Sequence, residues 1–199
     1  DGLPAKALPV EATNERAVSN AVGAIIDDFG SIDILVNNVG GLITRATLNK
    51  LDLSTWRQIL SVNLDSLYLF THHAAAHLPN GRGRVINIAS LAGHTGGHPG
   101  ALAYATSKAA VFGFTRALAT ELGPQGITVN AIAPGFIEDT PFHDTFTTAE
   151  AKVRTIQGIP VGRAGAPHDV AGAALWLASS YASYVSGAVI DVNGAQYFH

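Results

Sequence analysis

The sequence contains neither cysteine nor methionine, and only 14% of its 199 residues are charged. Without cysteine the chain cannot build a disulfide framework, a thiolate zinc site or a cysteine nucleophile. Lysine and arginine number 12 against 15 acidic residues and form no basic run, which argues against nucleic-acid binding. Because methionine is absent, we expect the chain to be either processed or an incomplete segment of a longer one. No targeting segment opens it, which together with the lack of cysteine indicates a cytoplasmic protein.

Apolar residues and glycine are plentiful instead, at 47% of the chain and 21 residues. The length suits one domain with a sizeable core, over residues 1–199. The composition excludes a disordered chain and favours a sheet buried by helices on both faces. The run 170–190 has no charge, but its second half is rich in serine, tyrosine and glycine. We therefore interpret it as a buried helix, a turn and a strand, and expect no membrane association.

Short apolar runs alternate with helical periods along the chain. Strands are predicted at 8–10, 32–36, 84–89, 127–132 and 188–192. Helices are predicted at about 18–29, 54–77 with Ser54 as N-cap, 104–122, 149–157 and 167–178, with a loop over 133–146. This alternation is typical of an α/β fold with a doubly wound parallel sheet. Such sheets bind ligands at the carboxyl ends of their strands, where glycines allow a close backbone approach.

The strongest candidates for chemistry are Tyr104 and Lys108, four residues apart and therefore on one face of a predicted helix. A nearby ammonium lowers the pKa of a tyrosine from its ordinary value near 10 and lets it act as general acid or base. Ser90 ends the preceding strand, and its hydroxyl could hold a carbonyl oxygen in the same cleft. Taken alone, the spacing fits equally a surface Tyr and Lys on an amphipathic helix, with Ser90 as a cap.

Further motifs, in order and at the right strand ends, decide between these alternatives. Positions 37–40 read Asn-Asn-Val-Gly, positions 104–108 read Tyr-x-x-x-Lys, and positions 130–135 read Asn-Ala-Ile-Ala-Pro-Gly. With Ser90 and the helical Asn63, they resemble the motifs and catalytic tetrad of the short-chain dehydrogenase/reductase family. The resemblance covers essentially the whole chain. It is closest to the branch of 3-oxoacyl-carrier-protein reductases and sugar or alcohol dehydrogenases.

The resemblance implies an oxidoreductase that transfers a hydride between NAD or NADP and a small carbonyl or secondary alcohol substrate. It implies that Tyr104 exchanges the proton, that Lys108 lowers its pKa and binds the nicotinamide ribose, and that Ser90 orients the carbonyl. Asn63 is expected to hold a water that connects Lys108 to solvent, and Asn37 to keep the strand-end turn close to the ribose. The expected cofactor contacts are Glu11, Ala12, Asn38, Val39, Gly40, Tyr104, Lys108, Pro134, Gly135, Ile137 and Thr140.

The glycine-rich turn that opens this family has no counterpart in the sequence. By resemblance the chain begins just before the family's third strand, so the first two strands of the family fold, roughly 50 residues, are absent. The strand at 8–10 would then lie about 14 Å from the strand at 32–36 and be unpaired. We therefore expect an incomplete chain, or a fragment that cannot close the sheet alone. The alternative to an active enzyme is a truncated, inactive remnant that retains only the oligomerising half, since the family usually forms homotetramers; a homodimer is the other expected assembly.

The remaining expectations concern residues with weaker signals. His73 and His77 have a metal-like spacing, but no third ligand is in view, so we favour a helix-surface or interface role and predict no metal site. Ala195 replaces a common second glycine, and the replacement is expected to be harmless. Residues expected to flank or wall the cleft, or simply to be solvated or packed there, are His94, His98, His143, Phe136, Phe142 and Phe146.

Overall fold

Four parallel strands form a single sheet in the computed structural model, which describes residues 5–140 and 145–199. The strands are β1 (Ile34–Asn37), β2 (Arg84–Ile88), β3 (Thr128–Pro134) and β4 (Val189–Val192), and they lie side by side in chain order. Every neighbouring pair is parallel, with β1 against β2, β2 against β3 and β3 against β4. The α/β fold with a parallel, Rossmann-like sheet is therefore confirmed.

The helices between the strands cover both faces of the sheet. Leu67, Val111 and Phe112 pack against the β3 residues Ala131 and Ala133 on one face. Leu177 packs against Ile86 and Ile132 on the other. The helices are α1 (Glu15–Phe29), α2 (Leu53–Leu60), α3 (Ser66–Ala75), α4 (Ala92–Thr95), α5 (Leu102–Leu122), α6 (Ala149–Gln157) and α7 (Pro167–Ala178).

The uncharged run at 170–190 folds as the sequence indicated. Helix α7 is followed by a 3-10 turn over Ser180–Ala182 and then by β4. No helix in the described part of the chain is long and apolar enough to cross a membrane.

The strand predicted at 8–10 is wrong, because residues 5–11 are irregular in the structure. Val10 packs instead against the cluster of Val18, Val22 and Leu69, where α1 meets α3. A strand needs a hydrogen-bonding neighbour, and Pro9 has no N–H to offer one. Local apolar character was therefore not sufficient to make this segment a strand.

The single helix predicted over 54–77 is interrupted. Between α2 and α3 the backbone forms a π-helical turn over Ser61–Asp65, and the N–H of Ser66 donates to the carbonyl of Ser61, five residues back. The N-cap of α2 is Asp52 rather than the predicted Ser54, because the Asp52 carboxylate accepts from the N–H of Thr55 at 2.7 Å. An aspartate caps a helix as well as a serine does, so the residue type alone could not select the start.

Candidate active site

A large cleft of about 1530 Å³ lies at the carboxyl ends of β1, β2 and β3. Nine of the predicted catalytic and cofactor-contacting residues line it: Asn38, Gly40, Ser90, Tyr104, Lys108, Pro134, Gly135, Ile137 and Thr140. Asn63 lies directly behind Gly40, while Glu11, Ala12 and Val39 are not among the described residues that line the cleft. The position of a residue at a strand end was thus a good guide to whether it lines the cleft.

The hydroxyl groups of Ser90 and Tyr104 are hydrogen-bonded to each other in this cleft. The N–H of Ala92 donates to Ser90 Oγ at 3.1 Å, which fixes the serine side chain at the start of α4. Burial raises the pKa of Tyr104 above its ordinary value, and the hydrogen bond from Ser90 opposes that shift. Tyr104 is consequently protonated at neutral pH and can donate a proton to an oxygen placed beside the pair.

Lys108 lies one helical turn below Tyr104, with its Nζ 5.8 Å from the centre of the tyrosine ring. The ammonium is buried and donates to the main-chain oxygen of Ile88 at 2.9 Å. Burial lowers the pKa of Lys108 from 10.5 to about 8. The Tyr-x-x-x-Lys spacing predicts a lowered pKa for the tyrosine. In the structure the lysine has the lowered pKa instead, because desolvation dominates at both residues.

Asn63 clamps the loop that follows β1. Its Nδ2 donates to the main-chain oxygens of Gly41 and Ile59, both at 2.8 Å, and its Oδ1 accepts from the N–H of Gly41 at 3.1 Å. The π-helical turn that contains Asn63 therefore points the amide at the loop and also supplies a partner for the carbonyl of Ile59.

Gly40 is the point at which the loop, Asn63 and Lys108 meet. A Cβ at this position would lie 2.6 Å from Asn63 Oδ1 and 3.0 Å from Lys108 Nζ. The shorter of these distances is one that real Cβ atoms essentially never show, and Asn63 could yield only by giving up its bonds to Gly41 and Ile59. The glycine of the Asn-Asn-Val-Gly motif therefore fits the close packing of this site.

Comparison with known proteins places this geometry in a family. A family model described as enoyl-(acyl carrier protein) reductase matches residues 1–195. A solved mutant of the short-chain dehydrogenase/reductase of Serratia marcescens superimposes with a TM-score of 0.90 at 33% identity, over 98% of this chain and 78% of that one. The chain belongs to the short-chain dehydrogenase/reductase family. It is therefore an oxidoreductase, and membership implies a nicotinamide dinucleotide cofactor in general terms.

Two curated relatives of this chain indicate its branch of the family. The 3-oxoacyl-[acyl-carrier-protein] reductase FabG of Aquifex aeolicus is 39% identical over 198 residues, which are 98% of this chain and 78% of the relative. The acetoacetyl-CoA reductase of Rhizobium meliloti is 37% identical over 190 residues, which are 94% of this chain and 77% of the relative. The resemblance inferred from the motifs is confirmed.

Asn37, which was expected to keep the strand-end turn close to the ribose, bonds to other side chains of the protein. The side chain of Asn37 is buried, and its Nδ2 donates to Thr71 Oγ1 and Asn87 Oδ1, both at 2.9 Å. Asn87 in turn donates to Thr115 Oγ1 at 3.0 Å. This network ties β1 and β2 to α3 and α5. Sequence reasoning overlooked Asn87, although a lone polar residue in the apolar run 85–89 was a usable signal.

Glu11 is exposed at the start of the described chain, and its carboxylate accepts from Thr13 Oγ1 at 2.8 Å. That bond and one from the Thr13 N–H lower the pKa of Glu11, so the side chain is a carboxylate at neutral pH. Ala12 is half-buried beside it, and Val39 is 48% exposed on the loop after β1. Their contact with an adenine or a ribose therefore stays a prediction.

Two glycines near the cleft pack closely against other parts of the protein. A Cβ on Gly93 would lie 2.8 Å from the main-chain carbon of Lys108, so Gly93 brings α4 against α5. A Cβ on Gly135 would lie 2.8 Å from Gln196 Oε1 and 2.9 Å from Asn193 Cα. Of the two, Gly135 lines the cleft, and its contact with a cofactor stays a prediction.

The loop after β3 forms one wall of the cleft. Ile137 forms a parallel bridge with Gly165, and the Thr140 hydroxyl donates to the Ile137 oxygen at 3.2 Å. Phe136, Phe146 and His98 also line the cleft, while Phe142 and His143 lie outside the described residues.

His94 and Ala195 differ from expectation. His94 does not line the cleft; its ring stacks on Phe112, with centroids 4.3 Å apart, on the far side of α4. Ala195 has a φ of 70°, a left-handed conformation that favours glycine. The replacement of glycine at 195 is therefore strained, because an L residue at this φ crowds its Cβ against the backbone.

Proposed function

We propose that this reductase converts the 3-keto group of an acyl thioester into a secondary alcohol, with NADH or NADPH as the reductant. The observation that supports this most directly is the hydrogen-bonded pair of Ser90 and Tyr104 hydroxyls in the cleft, with the Lys108 ammonium behind it. Two hydroxyls that converge on one point suit a carbonyl oxygen, which accepts two hydrogen bonds.

The residues of the cleft fit a nicotinamide dinucleotide. Asn38, Gly40, Pro134 and Ile137 line an open channel at the strand ends, the usual ligand position in such sheets. An ammonium carries three N–H donors, so Lys108 can hold a ribose hydroxyl while it donates to Ile88. The cofactor supplies the hydride when bound.

The chain's own groups would carry out the proton chemistry. Ser90, oriented by the Ala92 N–H, holds and polarises the carbonyl oxygen. Tyr104, kept protonated by burial, donates its proton to that oxygen as negative charge develops on it. The positive charge of Lys108 stabilises the resulting tyrosinate until it is reprotonated. Asn63 holds the loop that keeps this lysine in place, and the water that it is expected to bind would return the proton.

The thioester substrate is proposed from the relatives and from the charge of the cleft. Relatives at 37–39% identity are named for the reduction of 3-oxoacyl and acetoacetyl thioesters. Arg45 and Arg154 line the cleft and are exposed, and would face an anionic carrier arm. Enoyl reduction is the second candidate, because the matching family model has that description.

Steady-state assays of nicotinamide absorbance would test this proposal. Acetoacetyl-CoA and crotonyl-CoA, each with NADH and NADPH, distinguish carbonyl from enoyl reduction and identify the cofactor. Tyr104→Phe removes the proton donor, and we expect kcat to fall by about 10²–10⁴-fold with acetoacetyl-CoA. Tyr68→Phe, an exposed tyrosine on α3, is the matched control and should be unchanged. Turnover of crotonyl-CoA alone, or unchanged turnover by Tyr104→Phe, would contradict the proposal; no turnover and no nicotinamide binding would favour the inactive remnant.

We also propose that the enzyme is a cytoplasmic, single-domain homotetramer or homodimer. Leu175, Trp176 and Tyr181 are 73%, 41% and 90% exposed around α7 and the turn after it, and such apolar exposure is typical of a subunit interface. Light scattering after size-exclusion chromatography would give the number of subunits, and a monomer would exclude this assembly.

A further inference from the structure

Three side chains with metal-binding atoms meet between α4 and the end of β4. They are His94 on α4, Asp191 on β4, and His199 in the segment that follows β4. One ligand atom from each lies within 4.8 Å of the others. His199 Nδ1 is 2.9 Å from Asp191 Oδ2, and His94 Nε2 is 3.4 Å from Asp191 Oδ1.

Two of these atoms are buried without a hydrogen-bond partner among the described residues. They are His94 Nε2 and Asp191 Oδ1, which face each other. The side chain of His94 is only 10% exposed and that of Asp191 only 19%. An unsatisfied buried polar atom costs free energy, and such atoms are rare in folded proteins. A cation between the imidazole nitrogen and the carboxylate oxygen would satisfy both.

The spacing of the two atoms agrees with a shared tetrahedral ion. Zinc binds imidazole nitrogen at about 2.0–2.1 Å and carboxylate oxygen at about 2.0–2.2 Å, which separates two ligands by about 3.4 Å at the tetrahedral angle. The observed separation is 3.4 Å. His199 is 47% exposed on its side chain, so its ring can turn from Asp191 Oδ2 towards the same ion.

The neighbours of His94 fix the orientation of its ring. Phe112 and Tyr197 stack on the ring, with centroids 4.3 Å and 5.0 Å away, and hold the nitrogen towards Asp191.

We propose that His94, Asp191 and His199 bind one divalent transition-metal ion of the zinc class. Two imidazoles and one carboxylate favour such an ion over Mg²⁺ or Ca²⁺, which prefer oxygen ligands. The ion would join the segment after β4 to α4. Gly93, next to His94, packs on the main chain of Lys108, so the metal would brace the catalytic helix from outside the cleft.

Metal titrations of the untagged, chelator-treated enzyme would test this site. We expect one Co²⁺ per chain, detected by its visible d–d absorption, and one Zn²⁺ measured by competition with a chromophoric chelator. Removal of groups that merely support a ligand weakens metal binding by about 10–100-fold, so His199→Gln and Asp191→Asn should each weaken it by about 100-fold or more. His77→Gln, an exposed histidine after α3, is the matched control and should bind as the unmodified enzyme does.

Thermal unfolding with and without Zn²⁺ gives a second measurement that does not depend on activity. Zinc should raise the Tm of the unmodified enzyme and of His77→Gln, but not that of His199→Gln. Because the His199 side chain is half-exposed, this variant should fold even if Asp191→Asn does not. Binding below one ion per chain in the micromolar range, equal binding by His199→Gln, or loss of binding in His77→Gln would each overturn the proposal.

Discussion

Replacement of Lys108 by methionine should stabilise the enzyme at pH 7, although it removes a proposed catalytic group. The lysine is buried, and its pKa falls from 10.5 to about 8 because the ammonium is desolvated. At 1.36 kcal/mol per pH unit, this fall corresponds to about 3 kcal/mol of destabilisation of the charged form. Methionine has similar length and no charge to desolvate. It also leaves the Ile88 carbonyl without its donor, which costs about 1–2 kcal/mol, so the net gain is about 1–2 kcal/mol.

The pH dependence of this gain is the sharper test. Below pH 8 the lysine is protonated in both the folded and the unfolded state, so its full penalty is present. As the pH rises from about 8 to 10.5, the folded state releases the proton first, and the unmodified enzyme gains up to about 3 kcal/mol relative to Lys108→Met. The advantage of the methionine variant should therefore disappear and reverse over this range.

Urea unfolding at fixed protein concentration, measured at several values between pH 7 and 10.5, gives these free energies. Lys50→Met, at an exposed position, is the matched control and should show a difference that does not depend on pH in this way. A constant difference between Lys108→Met and the unmodified enzyme across the range would refute the reasoning. Steady-state turnover should be lost in the variant throughout.

Two further substitutions follow from backbone geometry. Gly40→Ala would press its Cβ on Asn63 Oδ1, 2.6 Å away, and we expect kcat/KM to fall by about 100-fold, as a displacement of about 1 Å can cause. Gly41→Ala, whose Cβ would meet no atom within 4 Å, is the control, and equal activity of the two variants would contradict this account. Ala195→Gly should stabilise the enzyme by about 0.5–1 kcal/mol, because it relieves about 1–2 kcal/mol of left-handed strain and gains some freedom in the unfolded state. A lower urea midpoint for Ala195→Gly would show that the strain is not there.

Sequence reasoning predicted the parts of the fold that depend on local pattern. Helices α6 and α7 begin and end at the predicted residues, because a threonine cap and a first-position proline mark their starts. The segment at 8–10 failed because a strand depends on a neighbour that no local pattern reveals. The break between α2 and α3 also went unpredicted, since a π-helical turn leaves no simple signal in the spacing of apolar residues.

At the site, the sequence was a good guide to the residues that line the cleft. It was a poorer guide to the role of each residue there. Tyr104 and Lys108 were placed together by helical spacing alone. The direction in which the tyrosine pKa shifts was not predicted, because it depends on burial by segments that are distant in the chain. Asn37 and His94 look like surface or cleft residues in the sequence, and only the tertiary packing shows that they serve β1 and the rear of α4.

The π-helical turn at Ser61–Asp65 separates the register of α3 from the number of residues that precede it. It accommodates one residue more than an α-turn, so α3 has the same facing relative to α2 as it would after a regular turn one residue shorter. Loss of one residue here would thus leave the buried faces of both helices in place. It would remove only the wider turn of backbone that directs Asn63 at the loop. An insertion or deletion of one residue, rather than a substitution, could therefore add or remove the contact between Asn63 and the loop while the buried core of both helices stays unchanged.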